Sequence, residues 1–119
     1  MITDFSDVAA LQAAIYERCE SLERMRDEYA AAQQVVEYDA DRRKAALAVE
    51  TVKFLDDGEG AGASEARARA SAGYFEAMKV LAVQLTAANR VIAKYRLHLT
   101  TLDALRSILS TQRSLIKEL

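Results

Sequence analysis

The sequence predicts an all-α protein: a long antiparallel two-helix hairpin, coiled-coil-like, that dimerises into a four-helix bundle. Three observations point there. The 119 residues include no proline and only four glycines, with heavy use of alanine, leucine, glutamate and arginine, the residues that lose least on entering a helix. Apolar residues recur every seven positions through both halves of the chain, the period of helices that pack lengthwise. Three of the four glycines fall in one run, Gly58, Gly60 and Gly62, near the middle, where glycine ends helices because it loses most conformational freedom inside them. With 51% hydrophobic and 29% charged residues, the composition is that of one folded domain covering 1–119.

The first helix is expected over about residues 6–55. Ser6 is placed to cap its first turn, and Asp7 adds favourable negative charge there. Val8, Ile15, Leu22, Tyr29 and Val36 repeat every seven residues, with Leu11, Met25 and Ala32 beside them. After Val36 the seam takes a four-residue step to Ala40 and continues through Leu47 and Phe54, which amounts to one stutter. Arg18 and Asp39 stand where the strict pattern calls for apolar groups.

A glycine-rich turn is expected at 56–63, and a second helix from Ser64 to about residue 118. Tyr74, Leu81, Ala88, Tyr95, Leu102, Leu109 and Ile116 repeat every seven residues, flanked by Met78, Leu85, Ile92 and Leu99. Thr100 and Asp103 have capping-box spacing, yet the repeat runs through them undisturbed, so the helix is expected to continue. The stripe is broader than one partner helix would cover, which is the reason for expecting a homodimer.

Folding the seams about the glycine run aligns Leu11 with Leu109, Ile15 with Leu105, Leu22 with Leu99, Met25 with Tyr95, Tyr29 with Ile92 and Leu47 with Tyr74. Charge follows the same division. Residues 1–59 carry fourteen acidic and seven basic side chains, and residues 60–119 carry four acidic and nine basic ones. Pairing of the halves would bring Asp7 to Arg113, Asp27 to Lys94 and Glu50 to Arg69.

Most enzyme chemistries find no support. His98 is the only histidine, so one chain cannot assemble a two-histidine metal site. It reads as a partly buried packing residue. Cys19, the single cysteine, lies on the apolar face, where a small hydrophobe is the ordinary reading. The glycine run follows a helix instead of a strand and lacks a Lys-Ser/Thr ending, so it is not a phosphate loop. Asp56, Asp57 and Glu59 lack calcium-loop spacing. Tyr29, Tyr74 and Tyr95 fall on the seams as core, while Tyr16 and Tyr38 lie just off them. No catalytic residue, metal or cofactor is expected, and no stretch approaches the ~18 apolar residues of a membrane span. Without a basic leader followed by an apolar segment, and with its one cysteine unable to pair within the chain, the protein is read as cytoplasmic.

One constellation points to binding. Arg106, Arg113 and Lys117 are spaced seven and four residues apart, which places the latter two within about 20° of Arg106 around a helix. They read either as partners for acidic side chains of the first helix or as a contact surface for a partner or DNA.

Arg106 and Arg113 lie in a stretch that resembles a known group of proteins, and Lys117 follows it. Leu102-Asp103-Ala104-Leu105-Arg106-Ser107, followed by Thr111-Gln112-Arg113, resembles the closing helix of a group of small all-helical bacteriophage proteins. Glu65-Ala66-Arg67-Ala68-Arg69-Ala70, with Tyr74 beyond, is similar to the start of that group's second helix. Leu105 stands where the group often carries Trp, and Gln112 replaces one of its paired basic residues. The resemblance implies a setting among phage recombination and replication genes inside a bacterial host cell. Within that setting, and with no catalytic constellation in the residues, the expectation is a non-enzymatic accessory or adaptor protein that contacts a recombination or replication protein, any nucleic-acid contact being weak and running through Arg106, Arg113 and Lys117. The alternative is a protein-directed helical module, such as an inhibitor of a host defence or nuclease, or an assembly factor.

Overall fold

The computed structural model describes residues 7–118. Among them every regular element is a helix: α1 (Val8–Glu37), α2 (Asp39–Asp56), α3 (Ala61–Arg69) and α4 (Ala72–Lys117). The all-helical expectation holds, but each of the two expected helices is divided in two. Among the described residues no helix is long and apolar enough to cross a membrane.

Ser6 lies outside the described residues. The capping role falls to Asp7, whose carboxylate accepts the amides of Ala9 at 2.9 Å and Ala10 at 3.3 Å. These are two of the first-turn donors that a helix cannot satisfy internally.

The first division falls at Tyr38, with φ −98° and ψ 8°. Helical hydrogen bonds bracket it, Tyr38 N–H to Gln34 O at 3.0 Å and Arg42 N–H to Tyr38 O at 2.9 Å. The interruption is therefore one residue wide and leaves the ladder connected. It coincides with the four-residue step between Val36 and Ala40, and a stutter is where a helix must rotate relative to its seam. Around it the seam is displaced by one position, Val35 and Asp39 turning partly inward while Val36 and Ala40 are exposed, and it rejoins the expected positions at Leu47 and Phe54, both partly buried.

The turn is shorter than the expected 56–63. Glu59 N–H reaches Phe54 O at 3.4 Å and Gly58 N–H reaches Leu55 O at 2.9 Å, the two bonds of a Schellman motif. Gly58 sits at its left-handed position with φ 90°. Gly60 is extended and α3 already begins at Ala61. Ser64, expected to open the helix, lies inside it with 0% exposure, and its hydroxyl has no hydrogen-bond partner.

The second division, at Ala70 and Ser71, was not expected. Ser71 Oγ donates to Ala68 O at 2.7 Å and accepts Tyr74 N–H at 3.1 Å. It thus closes α3 and caps α4 at once. The new N-terminus meets Glu50 of α2, whose carboxylate lies where a Cβ on Gly73 would come within 2.5 Å of it. Glu50 is only 13% exposed, and the N-terminal end of a helix is a favourable place for an inward-facing carboxylate.

The chain groups into two compact units, one made of the described residues up to Ala30 and from Val91 on, the other of Ala31–Arg90. In the first, Leu11, Leu105 and Leu109 form a buried cluster, with Val8, Ala14, Ile15 and Ile108 against it. Further along, Arg18 meets His98 and Tyr29 stacks on Tyr95 with ring centroids 3.9 Å apart. The α1 and α4 segments therefore run antiparallel. Register agrees with expectation at Leu11 and Ile15 but slips by about one turn at Tyr29, which meets Tyr95 instead of Ile92. His98 is partly buried, and Leu99 is the more exposed of the two.

In the second unit the contacts are Arg43 with Met78 at 3.6 Å, Glu50 with Gly73, and the Arg67 guanidinium 4.4 Å above the Phe54 ring. These too are antiparallel in order. Its fully buried residues are all small: Ala32, Ser64, Ala68 and Ala88.

Candidate anion-binding surface

The C-terminal part of α4 is helical throughout, including Thr100 and Thr101, whose hydroxyls donate to Arg96 O at 3.0 Å and Leu97 O at 2.9 Å. Back-bonding of this kind keeps a threonine satisfied within a helix. Burial of Leu102, Leu105 and Leu109 fixes which face turns inward, and that orientation fixes where the basic residues go.

Arg106, Arg113 and Lys117 are all exposed and line one groove of about 360 Å³ together with Leu109, Ser110 and Ser114. Two hydroxyls thus alternate with three cations, and a leucine supplies an apolar floor. Arg106 also approaches the half-buried Cys19, Nη2 to Sγ 4.0 Å. The groove offers donors and positive charge, the chemistry that recognises phosphate or carboxylate.

The pairing with acids of the first helix is not found. Among the described residues the ion pairs are Arg43–Asp39, Lys53–Glu50, Arg69–Glu65 and Arg67–Glu59, and none involves Arg106, Arg113 or Lys117. Asp7, the expected partner of Arg113, spends its carboxylate on the α1 amides. Glu50 and Arg69, expected together, each pair locally instead. Local partners three or four residues away on the same helix cost less chain ordering than partners across a seam.

His98 is committed elsewhere. Its Nδ1 lies 2.8 Å from Arg18 Nη1, and arginine can only donate, so Nδ1 accepts and the ring proton sits on Nε2. Burial, then the charges of Arg18 and Lys94, hold its pKa below the ordinary histidine value of 6.5. Arg18 is one of the two seam positions that broke the apolar pattern, and the histidine across from it is the reason a charge is accommodated there. The sequence contained both residues but not their register.

No family model, no curated protein and no solved structure matches this chain.

Proposed function

We propose that the protein is a non-enzymatic adaptor that works by binding, in the setting of phage DNA recombination or replication within a bacterial host cell. The chain is read as a helical hairpin that self-associates into a four-helix bundle and presents the groove of Arg106, Arg113 and Lys117 to an anionic partner surface. The observation that carries this reading is the absence of any ion pair for these three cations among the described residues, although they share one groove. The setting comes from the resemblance of residues 102–113 and 65–70 to the small phage proteins. A recombination or replication protein is the primary partner, and nucleic acid is a weak one.

Weak nucleic-acid binding follows from the count of charges. Three phosphate contacts release about three counterions, which gives a slope of about −2 in log K against log salt for single strands. Such binding fades towards physiological salt. The exposed carboxylates of α1, Glu17, Glu20, Glu23, Asp27 and Glu28, repel phosphate and favour the alternative of a purely protein-directed module, an inhibitor of a host defence or nuclease or an assembly factor.

The deciding experiment compares the wild-type chain with Arg106→Glu/Arg113→Glu. Retention of single-stranded DNA at low salt and capture of host and phage proteins are measured, the latter with and without nuclease. Loss of both with an unchanged circular dichroism spectrum is expected. A folded variant that loses neither interaction removes the groove from the function, and nuclease-resistant capture without DNA retention selects the protein-directed reading.

A further inference from the structure

The face of α4 that carries the basic groove is not uniformly basic. Successive residues advance about 100° around a helix, so Asp103, Arg106, Ser110, Arg113, Ser114 and Lys117 fall within a single arc of about 100°. All six are exposed, and no ion pair among the described residues involves Asp103 or the three cations. At a rise of about 1.5 Å per residue, Asp103 stands about 4.5 Å before Arg106, Arg113 about 10.5 Å beyond it and Lys117 about 6 Å further on. The small side chains of Ser110 and Ser114 keep the channel between the cations low, with Leu109 as its floor. The face is therefore a signed row, one carboxylate and then three cations, beside a groove without bulky side chains.

We infer that the groove takes an acidic α-helix of another protein, lying antiparallel to α4, with carboxylates at positions i, i+4 and i+11 and a basic residue at i+14. Such a helix repeats the rise of α4 in the opposite direction, so its four charges meet Lys117, Arg113, Arg106 and Asp103 in turn. The direction follows from the peptide dipoles. An antiparallel helix begins beside the C-terminal end of α4, which places its first two carboxylates near its own positive N-terminus and its basic residue towards its negative end. A nucleic-acid strand meets the row less well, because its phosphates carry one sign throughout and a strand running along the groove sets one of them against Asp103. A second copy of this chain does not supply the pattern either. No three acidic residues of the sequence stand at i, i+4 and i+11, or at i, i+7 and i+11 as the parallel direction would need. The occupant is therefore a different chain, selected by the register of its charges as well as by their sign.

This inference rests on the groove being a contact site, as put forward above, and names the kind of partner that fits it. The test titrates the full chain, at low salt, into a fluorescent alanine-based helical peptide of about 20 residues that carries Glu at i, i+4 and i+11 and Arg at i+14. A shuffled peptide of equal composition and an oligothymidylate are titrated alongside, with anisotropy as the readout. The matched peptide is expected to bind about tenfold more tightly than the shuffled one, and Arg106→Glu/Arg113→Glu to abolish that preference. Asp103→Arg weakens the matched peptide by about fivefold, and a peptide with Glu at i+14 restores the affinity for that variant. The same substitution tightens oligothymidylate. Should Asp103→Arg lose helix content, the wild-type chain decides through the peptides alone: it prefers Arg to Glu at i+14, and equal affinity overturns the inference. Equal binding of matched and shuffled peptides, or binding of neither, also overturns the acidic helix, while the groove keeps its adaptor role if Arg106→Glu/Arg113→Glu still abolishes protein capture. Oligothymidylate bound more tightly than the matched peptide selects nucleic acid and overturns the inference too. If the charge-reversed chain keeps its captured proteins and its DNA, the reading of the groove as a contact site falls with it.

Discussion

Ser64 offers the sharpest test of the packing in the α2–α3 region. Its side chain is fully enclosed and its hydroxyl has no partner, so folding strips water from a polar group and returns nothing. An unsatisfied buried hydroxyl costs about 1–3 kcal/mol, and serine is less favourable than alanine in a helix by roughly half a kcal/mol. The small void left by the missing oxygen offsets part of this. Ser64→Ala is therefore expected to stabilise the protein by about 1–2 kcal/mol, which for a domain of this size raises the melting midpoint by roughly 5–10 °C. Urea unfolding followed by circular dichroism at 222 nm reads the change, with an unchanged slope marking a true gain in stability. Ala68, one turn later and equally enclosed, supplies the mirror experiment, since Ala68→Ser introduces the same defect and is expected to destabilise by a similar amount. A lower midpoint for Ser64→Ala would refute the reasoning, because it would mean that the hydroxyl is hydrogen-bonded in solution.

Two further outcomes follow from single residues. His98 has a folded pKa below its unfolded value of 6.5, so the folded state holds fewer protons. Its contribution to stability is present above about pH 6.5 and is lost as pH falls through the folded value. Urea midpoints measured from pH 8 to 5 should decline for the wild type and flatten for His98→Gln, and a parallel decline in both would assign the effect to other groups. Gly58 adopts φ 90° with open space where a Cβ would stand, so Gly58→Ala should cost about 1–2 kcal/mol from backbone conformation alone. Gly62→Ala, inside α3 with equal space, should be neutral or stabilising by up to about 1 kcal/mol. Equal effects at the two glycines would show that the Schellman turn is not formed.

The parts of the fold that depend on local periodicity were legible in the sequence. The seven-residue repeats and the glycine run foretold the helices, the central turn and the pairing of Leu11 and Ile15 with Leu105 and Leu109. Two features were missed. The break at Ser71 had a local signal, since serine is a preferred N-cap and its hydroxyl both closes α3 and caps α4, but the alanine-rich sequence on either side reads as unbroken helix. The stutter after Val36 did mark the site of the Tyr38 interruption, but a spacing change does not say whether a helix rotates or bends. Arg106, Arg113 and Lys117 were found by spacing, and their common groove follows from helix geometry. That they lack the expected acidic partners was hidden, because Asp7, Glu50 and Arg69 find nearer groups.

The contrast between the two units bears on the order in which the protein opens. Where α1 and α4 bury Leu11, Leu22, Ile92, Leu102, Leu105 and Leu109, each side chain removes far more apolar surface from water than any of Ala32, Ala68 and Ala88. Amide protons of α2 and α3 should therefore exchange with solvent through smaller, more frequent openings than those around Leu105, although all belong to continuous helical hydrogen-bond ladders.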